Sequence, residues 1–228
     1  LNLVEFERPP SIVYDENKNF ILFLYRDNYK SITELSVKEL RLGGLRIDPK
    51  TNIGSRVTYY NNVKIRNLKN QKSEITQVKG LPKNPKLSNI SWSPDQKRIA
   101  LTNTTETGVE LWVLELENGL VTKLTEPNLN SNIGGVINWF SDSENMLVKM
   151  ISRNRKPLID TNKIVPDGPT ISTNFGEKAQ NRTYQDLLKN KFDEHNFEQL
   201  STSAIYKVSI EGSVKKWMDD GMYRTISF

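Results

Sequence analysis

Three times along this chain an apolar strand runs into a turn built from Asp, Ser or Asn and re-emerges as a second strand. The clearest copy is residues 90–101, ISWSPDQKRIAL, which turns through Ser93, Pro94 and Asp95 and resumes at Arg98. Pro at an early turn position fixes φ, and Asp accepts backbone hydrogen bonds there, so the turn has a mechanism. Residues 136–150, VINWFSDSENMLVKM, repeat the phrase around Ser141, Asp142 and Ser143, with Trp139 in the place of Trp92. A weaker copy, residues 12–24 (IVYDENKNFILFL), turns at Asp15, Glu16 and Asn17, and the closing YRTISF reads as the first strand of a fourth. Further hairpins lie between the copies, at residues 63–78, at 110–125 around Asn118 and Gly119, and at 205–217 around Glu211 and Gly212. Gly-containing turns between alternating strands are strong hairpin signals.

Two hairpins make a four-stranded unit, and Asp95 and Asp142 stand 47 residues apart, the length of one propeller blade. Asp15 and Asp95 are 80 apart, which leaves room for an insertion at residues 32–56. The predicted fold is all-β: a partial β-propeller of about three four-stranded blades plus the first strand of a fourth, with a small helical insertion. Blade one covers about 12–80, blade two about 89–125, and blade three about 136–217 with an insertion over 152–203; residues 222–228 begin blade four. Within the later insertion, residues 183–201 space Leu187, Leu188, Phe192 and Phe197 at near-helical intervals and predict one helix or two short ones. Residues 153–180, rich in Pro, Gly and Asn, predict a long exposed loop, partly disordered. A sandwich or an open barrel would also string short strands between turns, but the repeated hairpin order with matching Trp favours the propeller.

Composition removes other classes. With 36% hydrophobic and 26% charged residues the chain can bury a core, and its longest apolar run, Phe20 to Tyr25, is strand length, so no membrane span is expected. Zero Cys excludes disulfides and a catalytic thiol, and a single His, His195, excludes the usual zinc constellations; no cofactor and no metal are expected. The net charge of +5 is spread among 27 acidic residues without a basic block, so no nucleic-acid partner is expected either.

Several phrases resemble the glutamyl endopeptidase branch of the prolyl oligopeptidase superfamily of serine peptidases, which includes dipeptidyl and acylaminoacyl peptidases. Residues 31–56, SITELSVKELRLGGLRIDPKTNIGSR, look like that family's insertion in its first blade, and SWSPDQKRIAL with GVELWVLELENG resembles its second. Residues 165–203, containing RTYQDLLKN, are similar to its loop and helical insertion. The resemblance implies that residues 1–228 are an N-terminal propeller portion that gates access to a C-terminal α/β-hydrolase domain carrying a Ser, Asp, His triad, with peptides as substrates. That domain is not expected within this chain. Its nucleophile sits in a Gly-x-Ser-x-Gly elbow, and none of the 12 Gly here has a Ser two positions later. No catalytic residue is therefore assigned, and His195, between charged neighbours, reads as a surface residue.

Because members resembling this chain cleave after Glu, Arg41, Arg46 and Arg56 in the first insertion are candidate substrate-binding residues, able to hold a carboxylate. The competing assignment is that they pair with Glu34, Glu39 or Asp48 to order the insertion. Two other functions are weighed. A stand-alone interaction module is disfavoured because the chain stops inside an expected strand, which also leaves edges through which the fragment is expected to self-associate. A glycosidase using Asp219 with Asp220, or Asp193 with Glu194, is disfavoured because adjacent residues on a strand face opposite ways. Bacterial relatives point to a periplasmic or secreted parent.

Overall fold

The computed structural model describes residues 7–70, 72–160, 163, 168, 175–176 and 186–226. Three four-stranded antiparallel sheets follow one another along the chain. The first pairs β1 (Ser11–Tyr14), β2 (Phe20–Tyr25), β6 (Asn62–Asn67) and β7 (Thr76–Gln77) in that order. Between β2 and β6 the chain inserts α1 (Ile32–Leu35) and a three-stranded sheet of β3 (Leu40–Leu42), β4 (Leu45–Asp48) and β5 (Ile53–Gly54). The second sheet is β8 (Leu87–Trp92), β9 (Arg98–Thr104), β10 (Val109–Glu115) and β11 (Leu120–Lys123). The third is β12 (Ile137–Trp139), β13 (Asn145–Ile151), β14 (Ser203–Ser209) and β15 (Val214–Gly221), with α2 (Lys191–Ser201) between β13 and β14. This is the partial propeller expected from the repeats.

The three repeated turns share one geometry. Lys18, Gln96 and Ser143 donate their N–H to the carbonyls of Asp15, Ser93 and Phe140, at 3.0, 2.9 and 3.1 Å. Each of these donors has a φ near +55 to +58°, the left-handed residue that lets a four-residue turn rejoin twisted strands. The side chains close the loop from within. Asp15 Oδ1 accepts the Phe20 N–H at 2.7 Å, Ser93 Oγ accepts that of Arg98 at 2.9 Å, and Asp142 Oδ1 accepts that of Asn145 at 3.0 Å. The turns also join neighbouring sheets, since Gln96 Oε1 accepts from Glu16 N–H at 3.2 Å and Ser143 Oγ from Asp95 N–H at 3.0 Å. The two Trp differ in use: Trp139 Nε1 donates across sheets to the Ser91 carbonyl at 3.1 Å, whereas Trp92 packs on the core of its own side.

Strand periodicity explains where the core lies. Along β9 and β10, Ala100, Val109, Leu111 and Val113 face the third sheet, while Ile99, Leu101 and Leu114 face the first. The second sheet is thus apolar on both faces and sits between its neighbours. The segment joining the second sheet to the third is stitched to both. Leu129, fully buried, donates its N–H to the Val109 carbonyl at 3.0 Å, and the flanking Asn128 carbonyl and Asn130 N–H bond Ile151 and Lys149 at 2.8 and 3.0 Å. A second connection pairs Lys79 in parallel with Leu120, so the first and second sheets also share backbone hydrogen bonds.

Lys149 is buried on the far face of β13, where its ammonium donates to the carbonyls of Ile133 and Tyr223. Burial pushes its pKa down to about 8. Residues 222–226 belong to no ladder among the described residues and run back over this face. β15 is exposed along most of its length and presents Val214, Trp217 and Met218 to solvent.

The helix expected within residues 183–201 spans Lys191–Ser201, because Asn190 caps it by accepting from the N–H groups of Phe192 and Asp193. Residues 186–190 are not helical, Asp186 having a φ of 58°, and 183–185 lie outside the described residues. Most of the long loop expected over 153–180 also lies outside them; residues 153–160 form no helix or strand.

Two outcomes follow. Leu129→Ala should cost about 2–5 kcal/mol in urea unfolding, since it empties the joint between two sheets. The folded chain binds its Lys149 proton less tightly than the unfolded chain does, so this residue makes stability rise as pH climbs from about 8 toward 10.5. Lys149→Met should flatten that part of a stability-versus-pH curve relative to the unsubstituted protein.

Candidate functional site

Both insertions pack on each other and form one cap. Leu42 and Ile47 of the first insertion share an apolar cluster with Leu200 of α2, with Leu158, Leu188 and Phe197 against it. Gly43 permits the closest approach. Its φ is +56° and a Cβ there would lie 2.8 Å from the Phe197 ring, so the β3–β4 hairpin needs glycine for both conformation and space. Polar contacts follow the same seam: Gly44 N–H donates to the Asp186 carbonyl at 3.1 Å, Arg46 Nε lies 3.5 Å from Asp186 Oδ2, and Arg155 bonds the Asn52 side chain.

The three arginines singled out from the sequence converge on one carboxylate of this cap, Glu39. Arg41 Nε and Arg46 Nη1 reach Oε1 at 2.9 and 3.2 Å, while Ser55 Oγ donates to Oε2 at 2.5 Å and Arg56 Nε lies 3.5 Å from that same oxygen. The Ser55 hydroxyl, and then Arg41, Arg56 and Arg46, hold the Glu39 pKa down to about 2 against the opposing effect of burial. Strand pairing sets this up, because β3 and β4 put Arg41 directly opposite Arg46 and one short carboxylate between them screens both. Of the other proposed partners, Asp48 instead accepts from Thr51 Oγ1 and Lys50 N–H, and Glu34 caps α1 through Ser31 and pairs with Lys86 at 3.5 Å. Arg46 is mostly covered, whereas the Arg41 and Arg56 side chains are 57% and 66% exposed.

Beneath the first insertion, between it and the first two sheets, runs a cleft that the sequence did not reveal. One part has a volume of about 910 Å³ and holds Lys30, Lys50, Lys83, Lys86, Tyr59 and Trp112 in its walls. A second part of about 810 Å³ shares Lys30, Tyr59 and Lys86 with it and continues to Arg8 and Arg26. Lys86 stands over the Tyr59 ring, 5.8 Å from its centre, and burial, with Asp48 and Glu34 nearby, pushes the Tyr59 phenol up. At the floor Glu110 accepts from Lys123, Trp112 and Asn103 within 3.1 Å, so its charge is neutralised. These residues come from six separate stretches of chain, none of which forms a motif.

The remaining sequence candidates lie elsewhere. His195 is half-buried on α2 with Nε2 3.1 Å from the Pro157 carbonyl oxygen. Asp193 accepts from Lys189 N–H at the start of α2, Asp219 pairs with Lys216 at 2.8 Å, and Asp220 accepts from Ser152 and Asn154, so neither adjacent pair is poised for acid–base work.

The ion cluster makes a pH-dependent prediction. Because the Glu39 pKa is lowered, its contribution is complete above the ordinary carboxylate value near 4.5 and is lost as pH falls toward 2. Glu39→Gln should remove that part of the acid unfolding slope and increase hydrogen exchange in β3 and β4 at neutral pH, as seen by mass spectrometry.

No family model matches the chain. Among curated proteins it is 29% identical over 94% of its length to the probable glutamyl endopeptidase, chloroplastic, of Arabidopsis thaliana. It is 27% identical over 99% of its length to the protein of the same name from Oryza sativa subsp. japonica. The match spans 23% and 25% of those proteins. Among solved structures, an acylaminoacyl peptidase from Pyrococcus horikoshii aligns over 96% of the chain and 25% of its own, with a TM-score of 0.43 and 17% identity. The chain is thus similar over nearly its whole length to two probable glutamyl endopeptidases, and it spans about a quarter of the length of each.

Proposed function

We propose that this chain is a propeller segment that gates or selects peptide substrates for a serine peptidase domain carried elsewhere in the same polypeptide. The observation that carries the reading is the similarity over nearly the whole chain to two glutamyl endopeptidases. The whole polypeptide is then a serine peptidase cleaving after Glu, and the α/β-hydrolase domain is this segment's first partner. The architecture suits a selecting role. Sheets packed face to face make a stiff frame, and the cap places a cleft and exposed cations on one side of it. We assign Arg46 to holding the cap, since it lies between Glu39 and Asp186, and leave Arg41 and Arg56 as the residues with enough exposure to meet a substrate carboxylate.

Two measurements test this. The intact polypeptide should be labelled by a serine-directed fluorophosphonate outside residues 1–228, with the label located by peptide mapping; label within them would overturn the reading. Arg41→Ala with Arg56→Ala in the intact polypeptide should raise KM for Glu-containing peptides roughly 5- to 20-fold, the scale of a lost charge-assisted hydrogen bond. An unchanged KM with a lowered Tm would assign all three arginines to ordering the insertion.

A further inference from the structure

We propose that the cleft beneath the first insertion binds an extended peptide segment bearing two or more carboxylates. The inference rests on the reading above that peptides reach this domain, and it adds a second point of contact. Its basis is an imbalance in how the lining charges are used. Glu110 is satisfied by Lys123, Trp112 and Asn103, Glu34 by Ser31 and Lys86, Asp48 by Thr51 and a backbone N–H, and Asp27 by Asn61. Lys50 and Lys83 make no ion pair among the described residues, Lys30 only reaches the Ser55 carbonyl at 3.4 Å, and Arg26 has a buried Nε without a hydrogen-bond partner. Among the described residues, Arg8, Arg26, Lys30, Lys50 and Lys83 line the cleft without an ion pair and face three carboxylates without a cationic partner, Asp27, Asp48 and Glu106, which leaves an excess of two positive charges along the trough.

Shape and floor favour an extended chain. The two parts of the cleft run together through Lys30, Tyr59 and Lys86, so the site is a trough rather than a closed pocket. At its base Thr104 is only 7% exposed, with its hydroxyl toward the Tyr59 phenol. The lysines on either side of this floor can meet the carboxylates of a bound peptide. Tyr59 and Trp112 add apolar surface for the side-chain stems between them.

The test uses the intact polypeptide, inactivated with a fluorophosphonate, and two fluorescent octapeptides read by anisotropy, one alternating Glu with Ala and one alternating Gln with Ala. The Glu peptide should bind at least tenfold more tightly. Lys50→Glu with Lys83→Glu, both at exposed positions, should abolish that preference with Tm unchanged. Equal binding of the two peptides, retention of the preference in the double variant, or equal competition by a single-stranded oligonucleotide would overturn the proposal. Binding is read on inactivated protein, so its failure is separate from failure of the gating reading, which the cleavage and labelling experiments decide.

Discussion

A β-strand presents its side chains alternately to two faces, and in this chain the central strands are apolar on both. Neither face of such a sheet can be left to water, and a four-stranded sheet cannot cover itself. Stacking against a sheet on each side is the remaining solution, and the second sheet achieves it, with Ala100, Val109 and Leu111 turned one way and Ile99, Leu101 and Leu114 the other. The rest of the structure depends on that arrangement. Turns must be short enough to keep the stack in register, connections must stitch one sheet to the next, and insertions can leave only where they do not disturb the faces. Both insertions obey this, departing from the β2–β6 and β13–β14 connections and meeting each other outside the stack.

Legibility in the sequence followed the range of the interactions. Local turn chemistry was readable: Pro94 and Asp95 announced the β8–β9 hairpin, and Asn118 with Gly119 announced β10–β11, where Gly119 adopts a φ of 65° and Asn118 Oδ1 accepts the Leu120 N–H. The alignment of the weakest copy was harder. Asp15 looked like the counterpart of Asp95, but by hydrogen bonding it corresponds to Ser93, and Asn17 holds the Asp95 position. Carboxylate and hydroxyl perform the same acceptor role, so residue identity alone misleads by two positions.

Long-range contacts were much less visible. Arg41, Arg46 and Arg56 stood out as a group, and Glu39 was among the partners considered, yet the pairing of Arg46 with Asp186 joins a hairpin to the segment before α2, about 140 residues further along. The cleft was not readable at all. Its walls come from the first insertion, the β6–β8 region and β9 to β11, and no spacing rule links them. Nothing local marks Lys149, which the chain lying over it turns into a buried cation.

The residues at the left-handed corner of the three turns, Lys18, Gln96 and Ser143, are not glycine, although glycine would sit there with the least backbone strain. At two of the three the side chain is in use, binding the backbone of the adjacent turn. Those two corners therefore serve as hinge pins as well as bends. The geometry between neighbouring sheets is encoded at positions that a strand-by-strand reading would treat as interchangeable. Drift at these corners would leave every hairpin intact while loosening the angle at which one sheet meets the next.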